Sequence, residues 1–304
     1  MRGPVRIVAR LTLLTVIISA TLAPRAVSAQ SAPAGLDTAA IDKAIGRSGT
    51  AMAGDVYRVA FPRGDLKVTV GSVAVKPGLA LGGWAAFKAG GGSGAVAHGD
   101  LVLLEGEVNP VISALQQHGF DITALHNHIL GATPQVMYLH FWGHGPAPEL
   151  AAALKEAIGL TKTPMPAAAA ATAAAGDDLP ADAIQQAIGL KGSVTNGVLA
   201  LSQPRPETIQ MMGVTLPPSM GMATAINFQS AGNGKVAATG DFVMQADEVN
   251  KVARALRQNG ISITALHNHM LHGTPELYFM HFWGEGEATQ VAGGLRQALA
   301  QLAR

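Results

Sequence analysis

The sequence contains no cysteine. No disulfide staples the fold, so stability must come from packed cores. Any metal site must be built from histidine, carboxylate, methionine or backbone oxygen. Structural zinc usually draws on cysteine, so the deficit favours an accessible or catalytic site over a purely structural one. Long apolar runs are scarce as well. The run at residues 11–23 is too short to span a bilayer. It follows Arg2, Arg6 and Arg10 and precedes Val27-Ser28-Ala29, an arrangement that reads as a signal peptide over residues 1–29 with Gln30 as the mature N-terminus. An uncleaved anchor is the alternative reading, and the missing cysteine excludes a lipobox lipid anchor. The expectation is a periplasmic or secreted protein with no stable membrane anchor after cleavage.

Basic runs are also missing. Loss of residues 1–29 removes four arginines and no acid, so Lys plus Arg falls from 21 to 17 against 20 acidic residues and the formal charge moves from +1 to −3. That leaves no electrostatic footprint for nucleic acid.

What the chain does contain is a repetition. Ile122-Thr-Ala-Leu-His-Asn-His and Met137-Tyr-Leu-His-Phe-Trp-Gly-His-Gly return as Ile263-Thr-Ala-Leu-His-Asn-His and Tyr278-Phe-Met-His-Phe-Trp-Gly-Glu-Gly. Residues 161–181, Ala-rich and bounded by prolines, read as a linker. They separate a first repeat at 38–160 from a second at 182–304. Each repeat opens with an amphipathic helix from Ala40 or Ala183. Short apolar or alternating runs follow at 56–61, 66–75 and 79–87, and at 198–202, 208–215 and 222–228, punctuated by Gly and Pro as strands are. A further strand at Gly99-Asp100 or Gly240-Asp241 leads to a helix opening at Glu107 or Glu248 and closing at Gly119 or Gly260, where glycine suits a C-cap. Two histidine-bearing strands and a last helix complete each copy. This order predicts an α+β fold: two tandem copies of a mostly antiparallel sheet with flanking helices, packed on each other through sheets or helices. A small cupin-like barrel is the alternative.

Alternation along strands places His126 and His128 on one face with Ile122 and Ala124, and His140, Trp142 and His144 together on the neighbouring strand. In a hairpin, His126 or His128 falls opposite His140, close enough for imidazoles to converge on one ion. The second repeat offers His267, His269 and His281 in the same way, with Glu285 where the first has His144. The reading is one divalent-metal site per repeat, zinc first, with His144 or Glu285 as a looser fourth ligand. Polar packing of histidines against Trp142 and Trp283 is the competing reading. His98, His118 and His272 have no counterpart and are expected at the surface. Among the matched carboxylates, Asp100/Asp241 and Glu107/Glu248 are candidates to orient a histidine or to act as general base, and Glu107 and Glu248 are the catalytic candidates. For Glu107 a simple helix N-terminal charge is the plainer role. Met137, Met270 and Met280 fall on the face opposite the histidines, as core.

Gly-Asp-Leu-Val-Leu…Glu-Val-Asn-Pro, with the two histidine motifs, resembles the LppY/LpqO family of exported bacterial proteins across both copies. That resemblance implies an exported two-copy protein and carries no activity, substrate or catalytic residue. Three functions remain open from the residues. One is a metal-dependent hydrolase or lyase acting on a small-molecule or cell-envelope ligand, another a non-catalytic metal-binding protein, and the third a structural or interaction protein.

Overall fold

The computed structural model describes Gly3 and residues 32–90, 94–165 and 178–303. The expected signal peptide and the centre of the expected linker lie outside the described residues. Each repeat is built on a six-stranded, wholly antiparallel sheet. In the first the strand order is Thr50–Met52, Val56–Pro62, Gly82–Ala89, Ala95–Leu104, Val136–Gly145 and Asp121–His126. In the second it is Gly192–Thr195, Val198–Pro204, Ala223–Gly232, Lys235–Met244, Tyr278–Glu287 and Ser262–His267. The expected α+β class is what the chain adopts.

The helices cover one face of each sheet. In the first repeat Thr38–Ile45, Glu105–Gln117 and Ala147–Gly159 bury Ile41, Val111, Leu115, Leu150 and Leu154 against Phe87, Leu101, Leu139 and Phe141. Ala181–Ile188, Ala246–Gln258 and Ala288–Leu299 do the same in the second, on Phe228, Phe242, Met280 and Phe282. Gly119 (φ +77°) and Gly260 (φ +72°) follow the middle helices in the left-handed conformation, the C-terminal role that glycine fills without strain.

The uncovered faces of the two sheets turn to each other. Residues 209–222 of the second repeat bury Ile209, Met211, Leu216 and Met220 on Val56, Trp84, Val96 and Trp142 of the first sheet. Reciprocally, residues 68–81 of the first repeat pack Val68, Val75 and Leu79 in a cluster that includes Val198 and Trp283 of the second. Both repeats thus belong to one compact unit from residue 31 onward, layered helix, sheet, sheet, helix. Polar groups also cross the seam. Gln229 donates to the Ala74 carbonyl at 2.8 Å and accepts from the Lys76 amide at 2.9 Å. Thr264 donates to the His128 carbonyl at 2.6 Å.

Four local expectations need correction. The run 66–75 is a two-residue hairpin, Thr69–Val70 with Val73–Ala74, because Gly71 turns the chain at φ +55°. Ala132–Thr133 adds to that hairpin as a third strand, so the segment before the histidine-bearing strand is more than a turn. A bulge between Ile122 and Ala124 changes the alternation. Ile122 consequently packs with the helix-side core while Ala124 and His126 keep to the inter-sheet face. Met137 and Met280 are core on the helix side as expected, but Met270 sits between the repeats beside Phe279.

Candidate metal centre

Strand register decides which side chains meet. Asp100 pairs with His140 across Ala95–Leu104 and Val136–Gly145, and Asp241 pairs with His281 in the second repeat. On the other flank of His140 the partner is Ala124, while His126 is opposite Tyr138. His126 therefore reaches His140 diagonally, at 5.1 Å between ring centroids, rather than as the directly opposed pair that the hairpin suggested. His128 lies beyond the strand end, where its ring rests on Tyr138 at 3.3 Å; His269 rests on Phe279 at 3.5 Å in the same way.

Because the sheets face each other, the two histidine sets form one cluster. His126 stacks on His267 at 3.6 Å, His128 on His281 at 3.8 Å and His140 on His269 at 3.8 Å. The two sets adjoin, though each repeat still supplies a group of its own that includes Asp100 or Asp241. Exchanging the repeats maps His126 on His267, His128 on His269, His140 on His281 and Asp100 on Asp241. The cluster thus has an approximate two-fold axis running between His126 and His267.

Four overlapping groups within it have ligand atoms all inside 4.8 Å of one another: Asp100 with His128 and His140; Asp241 with His269 and His281; His126 with His128 and His281; and His126 with His140, His267 and His269. The Asp100 carboxylate is 3.6 Å from His128 Nε2 and 3.9 Å from His140 Nε2, and Asp241 is 3.8 Å from His269 Nε2. Ligand atoms about 2.0–2.1 Å from a tetrahedral zinc ion are about 3.4 Å apart, so these three pairs stand within a few tenths of an ångström of that spacing. His140 Nδ1 donates to the Gly99 carbonyl at 3.0 Å and His281 Nδ1 to the Gly240 carbonyl at 2.9 Å. Both bonds fix the tautomer that presents a bare Nε2 to the cluster, the support that metal-bound imidazoles receive.

Burial in company sets the protonation states. His128, His140, His269 and His281 are held well below the ordinary imidazole range, first by desolvation and then chiefly by neighbouring histidines. His126 follows the same direction for the same reasons, and burial brings His267 down to about 4. All six are neutral at pH 7, the form that binds metal. Burial raises both carboxyls, Asp241 to about 7 and Asp100 well above its usual value with Asp241 adding to the effect.

The remaining candidates are placed elsewhere. His144 and Glu285 are exposed and belong to none of the four groups. Alternation puts His144 on the correct face, paired in register with Val96, but its side chain is exposed. Glu107 accepts from Arg63 Nη1 at 2.7 Å and from the Leu104 amide at 2.8 Å. Glu248 likewise binds Arg205 at 2.7 Å. Both carboxylates cap helices and neutralise buried arginines and belong to none of the four groups, while Asp100 and Asp241 lie beside the imidazoles. His98 is fully buried, contrary to the surface expectation. Its Nδ1 donates to the Phe141 carbonyl at 3.1 Å, and its ring lies 5.9 Å from His140. Thr239 makes the equivalent bond, to Phe282 at 2.8 Å. His118 and His272 are exposed as expected.

A cavity of about 280 Å³ opens onto the cluster, lined by Asp100, His128 and His140 from one repeat and Asp241, His269 and His281 from the other. Arg58 and Trp84 line it on the first repeat's side. Arg58 drew no notice in the sequence, since it lies outside the repeated motifs. Among the described residues no helix is long and apolar enough to cross a membrane.

The profile of the family described as Domain of Unknown Function (DUF1259) matches residues 39–160 and again 182–301. No curated protein and no solved structure matches the chain.

Proposed function

We propose, for a chain that belongs to the DUF1259 family and so inherits no assigned activity from it, that the two repeats jointly build one divalent-metal centre. One observation carries the reading. Nine ring nitrogens of the six histidines, together with Asp100 Oδ1, are buried without a hydrogen-bond partner from the protein. Each such group costs about 1–3 kcal/mol, and together they would consume the whole stability of an ordinary domain, about 5–15 kcal/mol. Metal ions would turn up to six of these nitrogens, one per ring, into ligands. Leucine or phenylalanine would fill an inert core without that cost, which weighs against polar packing.

The two Asp-His-His groups face the cavity, whereas His126 and His267 do not line it. Two histidines and a carboxylate with a position left for water form the catalytic zinc pattern, and the same set serves non-haem iron. A metal-activated water facing the cavity supports hydrolase or lyase chemistry on a small-molecule or cell-envelope ligand, in preference to closed storage. Zinc is the first candidate ion. The signal-peptide reading of residues 1–29 and the likeness of the motifs to the LppY/LpqO group support a location outside the cytoplasm.

Protein produced without a histidine tag and reconstituted with zinc, manganese, iron or copper is expected to retain at least one ion per chain after gel filtration. Chelation should then lower the melting temperature, because a ligand that binds only the folded state stabilises it. A chain that retains none of the four ions sinks the proposal.

A further inference from the structure

We propose that the first repeat's half of the central cavity is an oxyanion receptor, in which Arg58, backed by Trp84, anchors the carboxylate or phosphate of a compact molecule beside the metal centre. This inference rests on the metal reading above for what the anchored molecule would meet. Its own basis is the cavity and Arg58.

The Arg58 guanidinium lies 4.1 Å from the centroid of the Trp84 ring, and Nη1 donates to the Ser219 carbonyl at 3.3 Å. No carboxylate among the described residues pairs with it. A half-buried cation held on an aromatic face, with one weak backbone bond, keeps most of its planar donor fork available. That fork matches carboxylate and phosphate oxygens two at a time. Desolvation lowers the guanidinium to about 10 while the field of Asp100 opposes the fall, so the group stays cationic at neutral pH.

The second repeat has no equivalent. Alignment on the shared Val-x-x-x-x-x-Pro strand places Ala200 where the first has Arg58, and Ala225 stands where the first has Trp84. The cluster is two-fold in its metal-binding groups, but its charge receptor exists on one side only. An anion therefore docks in one orientation, nearer Asp100 than Asp241. Once loaded, each divalent ion outweighs the single carboxylate of its group, so the centre and Arg58 attract together. Size restricts the guest too: about 280 Å³ falls at the lower edge of small-ligand pockets, about 300–1,000 Å³.

Inorganic phosphate and acetate serve as probes, titrated calorimetrically into the wild type, Arg58→Gln and Arg58→Lys. Each protein is measured metal-free and after zinc loading with free ion removed, and its metal content is measured in parallel. The zinc-loaded wild type should bind at least one probe, the stronger of the two naming the oxyanion. Arg58→Gln should weaken that binding at least ten-fold with metal content unchanged. Arg58→Lys, which keeps the charge but loses the fork, should fall between, and it carries the comparison if the glutamine variant does not fold. Metal uptake without anion binding, or with equal binding by all three proteins, overturns the receptor and leaves the metal centre standing. If no metal is taken up, the metal-free titrations decide: Arg58-dependent anion binding sustains the receptor, and its absence overturns it.

Discussion

Replacing His140 and His281 together by alanine is expected to abolish stoichiometric metal, although four of the six clustered histidines and both aspartates remain. The reason is topological. His140 belongs to the Asp100 group and to the group with His126, His267 and His269, while His281 belongs to the Asp241 group and to the group with His126 and His128. Two substitutions, one per repeat, thus take a ligand from every group, reducing three of them to two ligands and leaving at most His126, His267 and His269 together with no carboxylate to balance an ion's charge. The parallel variant His144→Ala/Glu285→Gln should keep its metal, since both side chains are exposed. Elemental analysis of the two proteins beside the wild type checks this, with circular dichroism to confirm that each is folded. Retention of metal by a folded His140→Ala/His281→Ala protein would remove the cluster as the ligand set. The Asp100→Asn/Asp241→Asn protein, whose substitutions are nearly isosteric, tests the two Asp-His-His groups alone, since both all-histidine groups keep their ligands.

The metal-free protein is expected to unfold steeply in mild acid, between about pH 6.5 and 4. Seven buried imidazoles, the six of the cluster and His98, are held below their unfolded value of about 6.5, two of them, His98 and His267, at about 4. A base with a depressed folded pKa contributes stability above its unfolded pKa, and that contribution is lost as pH falls, because only the unfolded chain takes up the proton. The two aspartyl groups act in the opposite sense. Asp241 is raised to about 7 and Asp100 well above its ordinary value, so both are protonated first in the folded chain. Seven imidazoles against two carboxyls leave a net uptake of five protons on unfolding in this window. At about 1.4 kcal/mol per proton per pH unit, one or two units exhaust the stability of a typical domain. Far-ultraviolet ellipticity followed against pH after exhaustive chelation checks it. A metal-free protein that melts at the same temperature from pH 7 down to pH 4 would contradict the buried neutral cluster.

Much of this arrangement was legible in the sequence because it is local. The duplication, the α+β class and the alternation of His140 and Trp142 against Leu139 and Phe141 all follow from period-two patterning and turn residues. The convergence of the two histidine sets was not legible, since nothing in the strand pattern states that the uncovered face of one sheet meets that of the other. The role of Asp100 depends on its pairing with His140 across strands about forty residues apart, a long-range register that periodicity leaves open. His98 looked like a surface residue because its counterpart is Thr239. It lies in the central strand Ala95–Leu104, buried on both faces through Leu103, where even an unmatched polar side chain is enclosed. Glu107 carried a catalytic reading because its partner Arg63 lies far back in the chain, outside the motif. Arg58 went unread for a related reason: repetition directs attention to what the copies share, and Arg58 matters where they differ.

Anomalous diffraction from zinc-loaded crystals, recorded above and below the zinc absorption edge, tests the shared centre most directly. Anomalous density is expected between the two sheets, within bonding distance of Asp100 with His128 and His140 or of Asp241 with His269 and His281. Zinc found only at surface positions such as His144, His272 or Glu285, with no density among the six stacked histidines, would contradict it.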